Sequence, residues 1–310
     1  MIISRTSMRI SFVGGATDIE NYYSKHEGEV VSCSIDRYIY VTYNHRDDDK
    51  IVISYSSLES VDTVNQIQHP IVREVLKMSG VTKGIEQHII AKLSTIGTGL
   101  GGSSAITVGL LRVLYPKKSQ CEIAEMACDI EIKRLGKCIG KQDQYACALG
   151  GVNRLVFRKD GVVNPYRIEI EANNCLDKKM FLVNTHSNYI RPHAENVLQQ
   201  QHNNFFNNEI YLHEIKQMCI PFVAALISGN EDKIINLLNN YWVIKRKLSS
   251  FVSNEYIDNL VEKYIKQNCG VKLCGAGHGG YLFVYDPTQK CDGIPVNIDY
   301  SGTTIIHNDN

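Results

Sequence analysis

From Thr95 to Ala105 the chain reads TIGTGLGGSSA, with glycine at 97, 99, 101 and 102, and the loop runs straight into Ala105–Leu114, a segment apolar on nearly every side that stops before Pro116. Closely spaced glycines free the backbone to take positive φ and let its N–H groups approach a ligand. A helix that is apolar all round belongs inside a core. Together these features specify a buried central helix whose N-terminus, with its free N–H groups and dipole, suits an anion. Ser103 and Ser104 stand at that N-terminus, where hydroxyls can serve a phosphate or Mg²⁺. A plain helix cap would account for one serine, but not for the glycines.

Gly97, Gly99 and Gly102 also satisfy G-x-G-x-x-G, as do Gly275, Gly277 and Gly280 in GAGHGG. A dinucleotide site needs that loop after the first strand, with an acidic residue about twenty positions on at the end of the next strand. Here several strands come first, the acids at that distance (Glu122, Glu125) fall in a helix, and the second match lies between strands. A Walker A reading of GKCIGKQ (136–142) fails as well: three residues separate its glycines, and no Ser or Thr follows Lys141. What remains is a phosphate cradle that is neither of these.

The 310 residues, 44% hydrophobic and 21% charged, can bury a large core, and the length suggests two domains. Thirty-three basic residues balance thirty-three acidic ones, so there is no global field to attract nucleic acid or an anionic membrane. The start, MIISRTSMRISF, lacks the features of a signal peptide, and no run approaches eighteen apolar residues, so a cytoplasmic protein is expected. Ten scattered cysteines without C-x-x-C or paired Cys/His spacing read as small buried hydrophobes and argue against a zinc site.

Period-two patterns predict strands at 9–13, 29–43, 51–55 and 88–93, and two more within 152–170 joined by the turn RKDG. A capping box, Ser119 with Glu122, opens a helix that Gly136 stops, and a short helix follows over 142–149. The polar stretch EANNCLDKK separates this half from the strand MFLVNT, which puts a domain boundary near 172, with domains 1–172 and 173–310. In the second half helices are expected at 194–206, 209–228, 231–248 and 253–267, the last with a Ser253 cap. The strands VKLC, YLFVY and IPVNI close the chain.

Four segments taken together resemble the GHMP kinases: RISFVGGATD (9–18), GTGLGGSSA (97–105), GKQDQYACALGG (140–151) and KLCGAGHGGYLFVY (272–285). Their order and spacing cover nearly the whole chain. Within the superfamily, the first and third, with KRKLS, are most similar to heptose 7-phosphate kinases. Four positions depart from the pattern: Met8 precedes the arginine where Leu or Pro is usual, the proline before the phosphate loop is absent, Gly102 stands where serine is usual, and His278 interrupts a run of small residues.

The resemblance implies an α+β, two-domain fold, with an N-terminal ribosomal-protein-S5-like domain and a C-terminal ferredoxin-like domain. It also implies ATP and Mg²⁺ as cofactors, small-molecule partners (ATP and a sugar phosphate), and a monomer or homodimer. ATP phosphates would lie on Gly97, Thr98, Gly99, Leu100, Gly101, Gly102, Ser103 and Ser104. Asp143 is the implied catalytic base, with Arg9 beside it. Glu131, twelve residues earlier, would hold Mg²⁺ with Ser103 or Ser104; unmatched, it would read as a partner of Arg134 on a solvated helix face. Gly15, Ala16, Thr17 and Asp18 would bind sugar, with Gly275 and Gly277 shaping the loop that completes the site. Arg191, Lys245, Arg246 and Lys247 are candidates for a second phosphate, although cations ending a helix also serve its dipole. A kinase for another sugar, such as fucose or galactose, and a catalytically silent sensor are the competing readings.

Overall fold

The computed structural model describes residues 1–91, 93, 97–170, 175–185 and 205–309, with backbone alone for 205–207. Two mixed layers account for most of it.

The first sheet is built around β1 (Ile2–Val13) and β2 (Gly28–His45), both dense in β-branched and aromatic residues and antiparallel along most of their length. β2 is long enough to share its far edge. Its start, 28–33, pairs with β6 (Val152–Phe157), and its end, 39–45, pairs with β5 (Ile85–Ala91). Gly151 and Asn297 supply carbonyls to Ser34 N and Asp36 N in the gap between them. β3 (Ile51–Ser54) and β4 (Leu58–Val61) extend one side, and β7 (Val163–Arg167) pairs with β6 around a turn closed by Gly161 N and the Arg158 carbonyl, 2.9 Å. Beyond the expected strands, the last residues form β12 (Thr304–Asn308), which returns to pair with the start of β1.

The helix after the glycine loop, α3 (Gly102–Leu114), lies buried across β1 and β2 as its composition requires, with Ser4 Oγ donating to the Gly109 carbonyl at 2.9 Å. α4 (Gln120–Cys128) starts at the expected capping box: Ser119 Oγ accepts from Glu122 N at 3.2 Å, and Glu122 Oε2 accepts from Ser119 N at 2.8 Å. It continues as a π-helical turn, Asp129–Arg134, in which Leu135 N reaches the Ile130 carbonyl. Such turns recur at functional sites, and this one carries Glu131. α5 (Gln142–Leu149) packs beside α3 and α4. Two helices had no sequence expectation, α1 (Glu20–His26) and α2 (Pro70–Ser79).

The second sheet is antiparallel, in the order β11 (Ile294–Val296), β8 (Met180–Asn184), β10 (Tyr281–Tyr285), β9 (Gly270–Leu273). The helix expected over 209–228 is two: α6 (Phe205–Gln217) and α7 (Cys219–Ser228). Pro221 explains the break, since it has no N–H and its ring would strike the carbonyl of Gln217. By length and composition Asn208–Ser228 would suffice to cross a membrane, with a third of its most apolar window buried, but it is broken at Met218 into two shorter helices. α8 (Glu231–Lys245) and α9 (Glu255–Ile265) pack on β9. The cap of α9 is Asn254, whose Oδ1 accepts from Ile257 N at 3.0 Å; Ser253 instead donates to Asp258. Most of the helix expected at 194–206, and Arg191, lie outside the described residues.

One core joins the layers. The Phe12 ring on β1 meets Phe222 of α7 at 5.3 Å and Phe283 of β10 at 5.4 Å. Burial of such rings, at roughly 25 cal/mol per Å² of apolar surface, locks the two sheets around the loops between them.

Candidate active site

A cleft of about 240 Å³ opens where four segments converge: the turn after β1, the glycine loop, the start of α5 and the loop 275–277. Its floor is an ion pair. Arg9 Nε and Nη2 donate to the two oxygens of Asp143 at 2.8 and 2.7 Å, and Nη1 donates to the Gly99 carbonyl at 2.6 Å. Arg9 is buried, whereas the Asp143 side chain is 27% exposed and borders the cleft. The carboxylate is therefore held by a rigid fork and is not used as a helix cap.

The serines and Glu131 meet as expected. Glu131 is fully buried; it accepts from Ser103 Oγ and Ser104 Oγ, both at 2.7 Å, and from Gln144 Nε2 at 2.8 Å. The alternative pairing with Arg134 does not form, because Arg134 bonds Asp129. A cation not foreseen completes the corner: Lys137 Nζ lies 3.0 Å from Glu131 Oε1 and 2.8 Å from Ser103 Oγ. Lys137 belongs to GKCIGKQ, the segment set aside as a failed Walker loop, and its role is visible only once the chain folds back past the π turn. Three hard oxygen donors grouped at a helix N-terminus fit Mg²⁺.

Asp18 sits on the opposite wall, nearly buried. It accepts from Ala16 N at 3.2 Å, from Gln142 N at 3.1 Å and from Gln142 Nε2 at 3.0 Å. Gly140 is obligatory beside it, since a Cβ there would lie 1.8 Å from Asp18 Oδ2. Burial pushes the Asp18 carboxyl up to about 6, with the nearby Asp143 charge adding to the rise against the backbone bond from Gln142. A raised carboxyl favours folding below its ordinary 3.8, and that contribution is lost as pH climbs through 6, an effect of about 3 kcal/mol at most. Wild-type Tm should therefore fall between pH 4 and 7 by more than that of Asp18→Asn, as thermal melts across that range would show.

Gly15 and Ala16 border the cleft, but Thr17 does not. Its buried hydroxyl donates to the carbonyls of Gly14 and Glu29 and accepts from Glu29 N, which pins the turn to β2 and leaves nothing for a sugar. Leu100 likewise points into the core, and its carbonyl anchors Arg9 N at 3.0 Å. Gly97, Thr98, Gly99, Gly101 and Gly102 line the cleft with the serines.

Gly99 and Gly275 pack back to back. A Cβ on Gly99 (φ 76°) would lie 2.4 Å from the Cys274 carbonyl oxygen, and one on Gly275 would lie 2.5 Å from Gly99 Cα. Gly99→Ala should therefore separate the two loops and weaken ATP binding at least about tenfold, with a lower Tm, readable by nucleotide titration and thermal melts. His278 is turned away from the cleft, its N–H on the Val252 carbonyl and its ring nitrogen 3.2 Å from that of Phe251, so its departure from the small-residue run is absorbed outside the site.

Of the run 245–247, only Lys245 reaches the cleft. Arg246 pairs with Asp258 at 2.9 Å, and Lys247 lies over the Tyr211 ring, so neither is placed to meet a ligand there. Lys245 Nζ donates to the Gly275 carbonyl and is joined by Lys272, not singled out from sequence, whose Nζ donates to the carbonyls of Ser11 and Phe12. Both are buried, and neither makes an ion pair with a described residue. Burial lowers Lys245 to about 8 and Lys272 well below its usual range. Tyr241, 4.2 Å beneath Lys272 Nζ, and the unpartnered hydroxyl of Ser11 face the same space. A lone lysine in the apolar strand VKLC was the one signal for Lys272; nothing marked Tyr241.

Residues 65–151 match the family model described as GHMP kinases N terminal domain. The chain is 30% identical over 314 residues to the D-glycero-alpha-D-manno-heptose 7-phosphate kinase of Campylobacter jejuni subsp. jejuni serotype O:2, covering 93% of this chain and 91% of that one. Among solved structures it superposes on a D-glycero-D-manno-heptose 1-phosphate kinase from Bacteroides thetaiotaomicron with a TM-score of 0.80, 21% identity and full coverage of both chains. It also superposes on Lactococcus lactis galactokinase complexed with galactose, with a TM-score of 0.73, 18% identity, and 98% and 94% of the two chains covered.

Proposed function

We propose a substrate for this chain, which belongs to the GHMP kinases and is a sugar kinase: D-glycero-D-manno-heptose 7-phosphate, phosphorylated by ATP on its anomeric hydroxyl to the 1,7-bisphosphate in the cytoplasm, for nucleotide-activated heptose. The observation that carries the second phosphate is the pair Lys245 and Lys272. Two buried lysines without a carboxylate partner among the described residues are costly to charge unless an anion joins them, and both line the cleft, Lys245 against the loop 275–277. A sugar phosphate supplies that anion. The name of the Campylobacter relative supports a phosphate already present at the sugar's far end.

The chemistry follows from positions. The N–H groups of the glycine loop and the start of α3 receive the ATP phosphates. Ser103, Ser104 and Glu131 would hold Mg²⁺, which would supply positive charge to offset that of the phosphates. Lys137, beside them, adds a second cation on the phosphate side. Asp18 and the amide of Gln142 orient sugar hydroxyls. Asp143, aimed by Arg9, accepts the anomeric hydroxyl proton as that oxygen bonds the γ-phosphorus, and the bond from the γ-phosphorus to the ADP oxygen breaks.

Incubation with ATP, Mg²⁺ and a panel of heptose 7-phosphate, heptose 1-phosphate, free heptose, fucose and galactose, followed by ADP release, tests the reading. Turnover confined to heptose 7-phosphate is the expected result. Turnover of free sugars alone would remove the phosphate subsite, and silence with all five would remove the assignment.

A further inference from the structure

α1 and α6 pack side by side, each offering the other two polar side chains one helical turn apart: Tyr22 and His26 from α1, Glu209 and His213 from α6. His26 Nε2 meets Glu209 Oε1, Tyr22 OH lies 2.7 Å from His213 Nδ1, and the two imidazoles stand edge to face with centroids 4.7 Å apart. One donor atom from each of His26, Glu209 and His213 falls within 4.8 Å of the other two. We propose that these three side chains bind a divalent transition metal, Zn²⁺ above all, at a site separate from the catalytic cleft that clamps α1 to α6.

The donor set decides the class of ion. Two imidazoles and one carboxylate suit zinc and its neighbours, whereas Mg²⁺, which the catalytic corner would hold, prefers an all-oxygen shell. In a tetrahedral zinc site with bonds of about 2.1 Å, donors lie roughly 3.4 Å apart, so donors up to 4.8 Å apart close by modest side-chain rotation. The contact between His26 and Glu209 would become shared ligation, and Tyr22 would hold the His213 ring in place, the outer-sphere role that tunes metal-bound histidines. A fourth position stays open to water. Lys216, the cation on the same helix, is engaged with the His26 carbonyl at 2.8 Å. The ligands are 183 residues apart in the chain, which is why Cys and His spacing gave no sign of them.

The test is a Co²⁺ titration of the full chain stripped with EDTA, with cysteine ligation as the built-in alternative. One equivalent giving visible d–d bands without a thiolate charge-transfer band is expected. His26→Ala and His213→Ala should each lose the bands and weaken Zn²⁺ binding by more than the roughly 10- to 100-fold that loss of an outer-sphere partner costs. Zn²⁺ should raise Tm in the wild type only. Unchanged Mg²⁺-dependent turnover in both variants would show that they fold. No Co²⁺ bands in the wild type, a thiolate band, or bands that survive in His213→Ala would overturn the proposal.

Discussion

Asp143→Asn is expected to cut kcat by about 10³-fold while leaving the Kd for ATP within a few-fold of wild type. Among the described residues lining the cleft, Asp143 combines a partly exposed carboxylate with a rigid mount, and the amide keeps its shape while losing its capacity to accept a proton. In the proposed reading ATP binds through the glycine loop and the corner at Glu131, with which Asp143 makes no direct hydrogen bond. The same substitution leaves the buried Arg9 guanidinium with one neutral acceptor in place of two charged oxygens, so Tm should drop as well. Pre-steady-state mixing separates the two effects: a folded variant that binds ATP, shows no burst and turns over slowly is the expected outcome. A kcat within tenfold of wild type would place the base elsewhere.

How much of this could be read from sequence differed by feature. Patterns confined to a short window were legible. The capping box at Ser119 and Glu122, the apolar helix after the glycine loop, and the RKDG turn each rest on contacts within a few residues, and each forms. The break at Met218 was also legible in principle, since Pro221 marks it, but the apolar run across it outweighed the signal. The resemblance placed Arg9, Asp143, Glu131 and the two serines, which lie far apart in the chain and converge in one cleft. It could not separate Thr17 from Asp18, because adjacent residues on a turn face opposite ways and only the fold decides which faces the cleft. Lys137, Lys272 and Tyr241 were missed for the reverse reason. Each reaches the site from an element whose local sequence describes its own packing, and a lysine written in a strand looks like an edge residue until both faces are covered.

Lys245→Met should raise KM for heptose 7-phosphate by about 10- to 100-fold, with a smaller effect on kcat and the ATP KM, because it removes one charge-assisted contact to the proposed sugar phosphate. Methionine keeps the volume of the stem, so the Tyr241 ring stays packed and the fold gains stability by losing a buried charge. The pH dependence gives the assignment its sharpest form. Burial holds the Lys245 ammonium down to about 8, so in the free enzyme it loses its proton as pH passes that value. A phosphate dianion binds the protonated form, so KM in the wild type should rise above pH 8, whereas in Lys245→Met it should stay flat through the same range. Arg246→Met, whose partner is Asp258 outside the cleft, should leave KM unchanged at every pH. If Arg246→Met and Lys245→Met raise KM alike, the effect belongs to general surface charge, and the buried lysines lose their claim on the second phosphate.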